Sequence, residues 1–364
     1  MNKGLYVHIP FCLQKCKYCD FVSFTGCDYV EYIDSLCREL DVWKGEQVDT
    51  VFIGGGTPTV LPAKLIDKIF SHINKTFKII SGAEWTVEAN PKTVDSEKLS
   101  LMRSLGVNRI SLGVQSFNDS ELKRIGRVHN AKDAAETLNL IAKYFDNYNI
   151  DIISALPDQT YESFIKTLKT AIRFNPTHIS CYSLILEEGT PLYNEHIVSP
   201  LNLPDEDTER NMYNRMLDIL ELNGYNQYEI SNFAKAGFEC KHNIKYWQCN
   251  DYIGAGVAAH SLINATRNEN TKSLSEYISG NYSKEKIDLT YSDEISEYII
   301  MSFRLRKGLN EKAFFERFEI DFYSEYKAII DRFIDMGLIE KTSTGYKLTL
   351  EGISVSNSVL CEFV

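Results

Sequence analysis

The stretch LYVHIPFCLQKCKYCDF, residues 5–21, determines how the rest of the sequence is interpreted. It overlaps an apolar run, residues 4–9, that predicts a first β-strand. The loop that follows this strand carries Cys12, Cys16 and Cys19. In a long chain, cysteines clustered in this way bind metal more often than they form disulfides. The spacing therefore predicts a metal centre immediately after the first strand.

Two kinds of metal centre fit three clustered thiolates. A [4Fe–4S] cube contains four irons, so three thiolates leave one iron open for a substrate or cofactor. A tetrahedral zinc ion needs a fourth ligand, for which His8 or Cys27 is available. Structural zinc sites usually show two separated ligand pairs, and this sequence has no second cysteine pair with short spacing. The pattern favours the cluster. The other cysteines are scattered and are interpreted as mostly buried residues: Cys27, Cys37, Cys181, Cys240, Cys249 and Cys361.

The first half of the sequence alternates between strand-like and helix-like segments. The predicted strands are residues 4–9, 50–56, 84–90, 109–115, 149–157 and 177–185. The predicted helices between them are residues 29–42, a segment around 65–70, and residues 96–105, 131–144 and 161–174. Such alternation indicates an α/β fold with a parallel sheet, either open or closed into a barrel.

Unusual residues follow several of these predicted strands. Cys12 follows the first strand, glycines 54–56 end the second, and Glu88 and Gln115 lie near the ends of the third and fourth. Functional residues of parallel sheets gather at the carboxyl ends of the strands. We therefore expect these residues to surround one common site.

The pattern changes after about residue 200. One amphipathic helix is predicted at 206–223, and a strand and turn at 224–234. The Asn-rich stretch 264–285 has little periodicity and predicts a loop with short elements. Residues 291–364 contain three helical patterns and a hairpin candidate, typical of a winged-helix-like unit. We therefore expect two domains, 1–223 and 224–364.

Composition restricts the classes of protein that need consideration. The chain has 364 residues, 44% hydrophobic and 24% charged, which are ordinary values for a globular protein. The formal net charge of −11 argues against a nucleic-acid binder, which normally has a basic face. We found no long apolar run typical of a membrane helix and no signal-peptide pattern, so a cytoplasmic location is expected.

The segments HIPFC, GGGTPT, SLGVQSF and ALPDQT together resemble the radical SAM superfamily, in its coproporphyrinogen III oxidase-like branch. This resemblance covers nearly the whole chain and implies a partial (β/α)6 TIM-like barrel. It implies a [4Fe–4S] cluster on Cys12, Cys16 and Cys19, with the aromatic Tyr18 as part of the motif. It further implies that S-adenosylmethionine (SAM) binds the open iron, and that an electron from the cluster could cleave its S–C5′ bond.

The same resemblance assigns further residues to SAM. By position in the motifs they are Tyr6, Gly55, Gly56, Thr57, Glu88, Gln115, Arg127 and Asp151. Their chemistry is suitable, since glycines allow close backbone approach, a carboxylate attracts the sulfonium and an arginine attracts the carboxylate. Members of this branch that make haem precursors bind two SAM molecules, so a second one is allowed.

Two groups within the branch compete for this sequence, the oxygen-independent coproporphyrinogen III oxidases and the HemW family of haem chaperones. The oxidases have another cysteine two residues after the third ligand, where this chain has Phe21, and an additional N-terminal segment. His242, Asn243, Tyr246 and Trp247 match the HNxxYW signature associated with haem in the HemW family. His242 could be an axial haem ligand, or a buried histidine that only holds its loop.

The resemblance to the chaperones implies a protein that binds haem and delivers it to respiratory haem proteins. It allows a homodimer and peripheral contact with a membrane. The cluster and SAM would then regulate or shape the protein. The alternative is a radical enzyme that decarboxylates coproporphyrinogen III, or one that acts on another substrate. Whether the chain is an enzyme is left open by the sequence.

Overall fold

The computed structural model describes residues 2–26 and 28–364. Cys27, which the sequence offers as a fourth zinc ligand, lies outside the described residues. Met1 also lies outside them.

Parallel strands alternate with helices through the first half, as the sequence predicts. The strands are β1 (Lys3–Ile9), β2 (Gln47–Gly55), β3 (Lys78–Ala89), β4 (Arg109–Gln115), β5 (Tyr148–Ser154) and β6 (His178–Ser183). The helices between them are α1 (Tyr29–Asp41), α2 (Ala63–Thr76), α3 (Ser96–Ser104), α4 (Asp119–Arg124), α5 (Ala131–Ile141) and α6 (Tyr161–Arg173). Each strand pairs in parallel with the next one along the chain. This is the predicted partial TIM-like barrel, and the fold prediction is confirmed.

Amphipathic helices cover the outside of this sheet. In α2 the side chains of Leu65, Ile66, Ile69 and Phe70 are buried, as their spacing predicts. Several of the helices begin with a side chain that accepts a hydrogen bond from the first turn, for example Asp95 before α3. The apolar face of each helix and the outward face of the strands form one large core.

Residues after 183 extend the barrel sheet at both edges. The elements are α7 (Pro191–Val198), α8 (Glu206–Leu222), β7 (Asn226–Glu229), β8 (Asn232–Ala234), α9 (Lys241–Trp247), β9 (Tyr252–Ala255), β10 (His260–Ile263), β11 (Thr266–Asn270), α10 (Leu274–Ile278) and β12 (Ser283–Asp288). Strand β8 pairs with β6, whereas β9 pairs in parallel with β1. Among the described residues, one sheet of 12 strands results, in the order β12-β11-β10-β9-β1-β2-β3-β4-β5-β6-β8-β7.

The stretch 264–285 is more regular than the loop predicted for it. It contains β11, α10 and the start of β12, and these two strands pair antiparallel at the edge of the sheet. The side chains of β12 are exposed throughout. An edge ribbon needs no alternating apolar pattern, so the periodicity of the sequence does not reveal it.

The C-terminal unit has its own core. Its elements are α11 (Tyr291–Arg304), β13 (Leu309–Asn310), α12 (Glu311–Phe318), α13 (Phe322–Asp335), β14 (Ile339–Lys341), β15 (Gly345–Leu348), α14 (Leu350–Ser354) and α15 (Ser356–Leu360). The three predicted helices and the hairpin are present, and β13 adds a third strand to the hairpin. Aromatic side chains, including Phe314, Phe318 and Phe322, pack at its centre.

The predicted division at residue 223 remains a prediction. Residues 226–288 belong to the barrel sheet by hydrogen bonding, although they come after that boundary. Within the part of the chain described, no helix is both long and apolar enough to cross a membrane.

Candidate functional site

A cavity of about 470 Å³ opens at the carboxyl ends of the parallel strands. Its volume lies in the range of small-molecule sites. The following residues assigned from the sequence line it: Cys12, Cys16, Cys19, Gly55, Gly56, Thr57, Glu88, Gln115, Arg127 and Asp151. The structure therefore brings together side chains from five strands and the loops after them.

The cysteine loop is fixed to the strands below it by backbone hydrogen bonds. Cys12 N donates to Phe24 O at 3.0 Å, which closes the loop on itself. Thr57 N donates to Phe11 O at 2.7 Å, which joins the loop to the glycine turn after β2. The Cys12 Sγ lies 3.6 Å from Thr57 Oγ1. The loop is thus tethered to the turn after β2, and its three cysteines line the cavity.

The three thiols are partly buried and line the cavity. Among the described residues, no three histidine, cysteine, aspartate or glutamate side chains lie close enough to hold one metal ion. Burial raises the pKa of Cys19 to about 11 and also raises the pKa of Cys12. A bound metal centre must therefore displace protons from these thiols.

His8, the other candidate for a fourth zinc ligand, is engaged elsewhere. Its Nδ1 lies 3.0 Å from Tyr6 Oη and its Nε2 lies 3.0 Å from Val22 O. Both ring nitrogens are therefore used within the protein. This arrangement disfavours a zinc site built on His8.

The glycine turn after β2 has a steric reason for its composition. Gly55 has φ +104°, a left-handed conformation that side chains rarely adopt, and a Cβ there would lie 2.4 Å from the His8 ring. A Cβ on Gly56 would lie 2.7 Å from the backbone of Phe11. From the sequence, these glycines are expected to allow the close approach of a ligand. The structure adds that they also allow close packing of the turn against β1 and the cysteine loop.

Two carboxylates lie at the floor of the cavity. Glu88 Oε2 accepts a hydrogen bond from Gly55 N at 3.1 Å, and Asp151 accepts from Asn149 Nδ2 at 2.6 Å. Burial, followed by the charge of Asp151, raises the pKa of Glu88 to about 7. Burial also raises the pKa of Asp151. Two acidic groups that share a dry floor provide a suitable environment for a cationic ligand.

Arg127 connects the cysteine loop to the next strands. Its Nη1 donates to Cys16 Sγ at 3.4 Å, and its Nη2 donates to Asn90 Oδ1 and Gly113 O. Within the described structure its buried Nε has no hydrogen-bond partner. A guanidinium beside a thiol stabilises negative charge there.

Gln115 ends β4 in a strained conformation. Its φ is +69°, which is uncommon for a residue with a side chain. Such outliers concentrate where a binding site dictates the backbone. The turn places Gln115 on the cavity wall, as the sequence predicts.

Tyr6 does not line this cavity. Its hydroxyl lies 3.0 Å from His8 Nδ1, and its ring lies 6.3 Å from the ring of Phe52, centre to centre. Tyr6 therefore supports His8 and the interior of the barrel beneath the site. The direct contact with SAM that the resemblance implies for Tyr6 remains a prediction, and Tyr6 lies close enough to Glu88 for the charge of that carboxylate to raise the pKa of its hydroxyl.

The HNxxYW residues lie at the opposite end of the barrel. They form α9, which is inserted at the amino ends of the strands. His242 is 1% exposed, with Nδ1 2.8 Å from Thr50 Oγ1 and Nε2 2.8 Å from Tyr246 Oη. Burial, followed by the nearby charge of Lys245, lowers the pKa of His242 to about 3. The geometry supports the alternative in which His242 is a buried structural residue rather than a haem ligand.

Glu84 of β3 fixes this helix in place. Its carboxylate accepts hydrogen bonds from Lys241 N at 3.0 Å and His242 N at 3.1 Å. These are the first N–H groups of α9, so Glu84 satisfies donors that the helix itself cannot. At the other end of α9, the Arg304 guanidinium lies 4.5 Å above the Trp247 ring. Trp247 thus faces the C-terminal unit rather than the cavity.

Sequence reasoning missed two residues of this framework. Asn90 donates to Thr57 Oγ1 at 2.6 Å and also accepts from Arg127, so it connects two predicted site residues. Its position directly after β3, beside Glu88, was the available signal. Glu84 was missed because its partners come from residues far along the chain.

Comparison with known proteins agrees with this architecture. Residues 6–171 match the Radical SAM superfamily, and residues 289–355 match the HemN C-terminal domain. A protein of Buchnera aphidicola (subspecies Schizaphis graminum) called "Heme chaperone HemW" is 37% identical, covering 99% of this chain and 98% of its own length. One of Bacillus subtilis with the same name is 36% identical, covering 100% and 99%.

One solved structure superimposes over the whole chain. It is the coproporphyrinogen III oxidase HemN of Escherichia coli, described as a radical SAM enzyme, with a TM-score of 0.86 and 25% identity. The match covers 100% of this chain and 90% of that one. The fold is therefore common to both groups that the sequence left in competition.

Proposed function

The chain belongs to the HemW family of haem chaperones within the radical SAM superfamily, and from this membership we propose that it binds haem and delivers it to haem-dependent proteins. The observation that carries the proposal is the similarity over the full length of both chains to relatives that bear this name. The acceptors we propose are respiratory haem proteins. The match to the oxidase supports only the shared architecture.

We propose that Cys12, Cys16 and Cys19 hold a [4Fe–4S] cluster and that SAM occupies the cavity beside it. The three cysteines and the carboxylates of Glu88 and Asp151, which line the same cavity, support this assignment. When bound, the cluster supplies an open iron for the amino and carboxylate groups of SAM and an electron for its reduction.

The residues of the chain position and isolate this cofactor. Glu88 and Asp151 provide negative charge where the sulfonium would lie, and the buried cavity strengthens that attraction. Arg127 donates to the thiol of Cys16 and reduces the negative charge that builds up on the loop. Gly55 and Gly56 fix the turn that separates the cysteine loop from the floor.

We propose that His242 is a structural residue. Both of its ring nitrogens are engaged, and it is 1% exposed, so binding iron would require it to give up a hydrogen bond and leave the barrel. Tyr246 and Trp247 would then contribute to haem binding only by supporting the fold.

The proposal is tested by titrating haem into the anaerobically reconstituted protein and following the Soret band. Saturable one-to-one binding is the expected result. The same preparation is then incubated with SAM and coproporphyrinogen III under reducing conditions. Formation of 5′-deoxyadenosine with release of carbon dioxide, in a protein that binds no haem, would reject the chaperone assignment and identify an oxidase.

Five finer points are also proposals. We propose that the protein acts in the cytoplasm, where an oxygen-sensitive cluster is best protected. We propose that it forms a homodimer and contacts the membrane peripherally when it meets its acceptor. A second SAM is proposed from the resemblance alone, and a C-terminal domain, 224–364, is proposed from the change of sequence pattern after about residue 200.

A further inference from the structure

We propose that haem docks at the mouth of the cluster cavity. The docking surface, called the lip below, consists of Leu13, Phe21, Tyr182 and Ile185. This inference rests on the proposed function, since it names the place where the proposed cargo lies. It differs from the assignment made from the sequence, which placed haem at α9.

The lip is apolar and open to solvent. Its side chains are 57%, 61%, 42% and 66% exposed, in the order given above, and all of them line the cavity. Single exposed apolar residues are common on proteins. Four around one opening form a patch of the kind that marks a binding site. A flat apolar macrocycle is a suitable occupant for such a surface.

The two sides of the lip are held at a fixed separation. Leu13 and Phe21 belong to the cysteine loop, whereas Tyr182 and Ile185 come from the end of β6 and the segment after it. Leu192 N, in α7, donates to Lys17 O at 2.9 Å and so links the chain after Ile185 to the cysteine loop. A surface that is already formed loses little conformational entropy when it binds a rigid ligand.

The charges around the opening orient the ligand. Lys15 is exposed on the cavity wall and offers one cation to a propionate. Asp20 and Glu187 also line the opening, and their carboxylates repel propionates. The structure therefore favours an orientation in which the propionates point toward Lys15 and the apolar edge of the ring lies against the lip.

Among the described residues, those of the haem signature at the other end of the barrel offer no comparable surface. His242, in α9, is 1% exposed, and its ring stacks on that of Phe52 in β2 at 5.3 Å. The Trp247 ring is covered by the Arg304 guanidinium at 4.5 Å. A porphyrin would have to displace this helix, whereas the lip requires no such movement.

The test is a haem titration of the reconstituted full chain and of the double variant Phe21→Ser/Ile185→Ser. Both positions are exposed, so the variant should keep its fold, which near-ultraviolet circular dichroism verifies. Loss of two apolar contacts should weaken haem binding by at least about tenfold. The matched control is Leu222→Ser, which removes a side chain that is 82% exposed at the end of α8.

Each outcome decides one question. Weaker binding by the double variant, with unchanged binding by Leu222→Ser, supports the lip. Equal binding by wild type and double variant overturns the lip and leaves the chaperone proposal standing. Equal loss in both variants indicates adsorption to apolar surface and overturns the lip as a specific site. Absence of haem binding by the wild type rejects the proposed function itself.

Discussion

Two glutamates of β3 lie at opposite ends of the barrel and have different partners. Glu84 lies near the amino end of the barrel and accepts hydrogen bonds from Lys241 N and His242 N. Glu88, four residues later, lies at the cavity floor, where it accepts from Gly55 N at 3.1 Å. Glu84 thus stabilises the start of α9, whereas Glu88 lines the cavity and remains available to a ligand.

The amino end of the barrel, around α9, is closed, whereas the carboxyl end opens into the cavity. At the closed end, the polar groups of α9 find partners within the protein. At the open end, the carboxylate of Glu88 lines the cavity, and burial raises its pKa to about 7. Evolution can place both on one strand because residues two or four apart share a face.

The largest expected effect is at the open end. Cys16→Ser should abolish the brown absorbance of the reconstituted cluster, because two thiolates cannot hold it. The measurement is the visible spectrum together with the iron content after anaerobic reconstitution. Cys361→Ser, at an exposed cysteine far from the loop, is the control and should keep the full spectrum. A complete cluster in Cys16→Ser would show that the ligand assignment is wrong.

His242→Ala tests the closed end and should mainly reduce stability. The change leaves Thr50 and Tyr246 without their partner and opens a cavity in the core. The free energy of unfolding should fall by about 2–4 kcal/mol, measured by urea denaturation. His260→Ala, at a half-exposed histidine, should change it little. Loss of haem binding with unchanged stability would instead favour His242 as an iron ligand.

Exchanging each glutamate for glutamine should separate the two ends. Glu84→Gln weakens the cap of α9 and should reduce stability by about 1–2 kcal/mol, with unchanged SAM affinity. Glu88→Gln should reduce SAM affinity by about tenfold or more and leave the folded state at least as stable at pH 8. Thermal melting and SAM titration check both variants. Equal changes of stability and of SAM affinity in Glu84→Gln and Glu88→Gln would contradict the proposed difference between the two ends.

The smallest expected effect is a pH dependence that belongs to Glu88. Since its pKa is raised from 4.5 to about 7, the folded protein binds an additional proton between these values. The stability of the protein without SAM should therefore fall as pH rises from about 4.5 to 7 on account of this group. SAM affinity should rise over pH 6 to 8, where Glu88 becomes charged. In Glu88→Gln both trends should be weaker.

Much of the fold could be predicted because the local pattern and the final environment agree. Residues 109–115 are predicted as a strand, and they form the buried β4 with those bounds. The fifth predicted strand, 149–157, runs too far, since the chain turns at Ala155 with φ +57°. The helices α4, α7 and α9 were missed because each is short and depends on contacts with distant parts of the chain.

Residues of the candidate site could be predicted where they are adjacent in one loop or lie at the end of one strand. Cys12, Cys16 and Cys19 are adjacent in sequence, and Glu88 lies at a strand end. The environment of His242 was not predictable, because its partner Thr50 is 192 residues away along the chain. An HNxxYW motif is compatible both with haem binding and with packing in the protein interior. Only the fold distinguishes these two roles.

The pairing of β9 with β1 has a consequence for the order in which the chain is synthesised. Strand β1 leaves the ribosome first, yet its second neighbour, β9, begins only at Tyr252. Until α9 emerges, Thr50 and Glu84 lack their partners, and the amino end of the barrel stays open to water. Pairing at such sequence separation is slow. A nascent chain stopped before residue 240 should therefore be a preferred substrate for chaperones and proteases, even though its six parallel strands are complete.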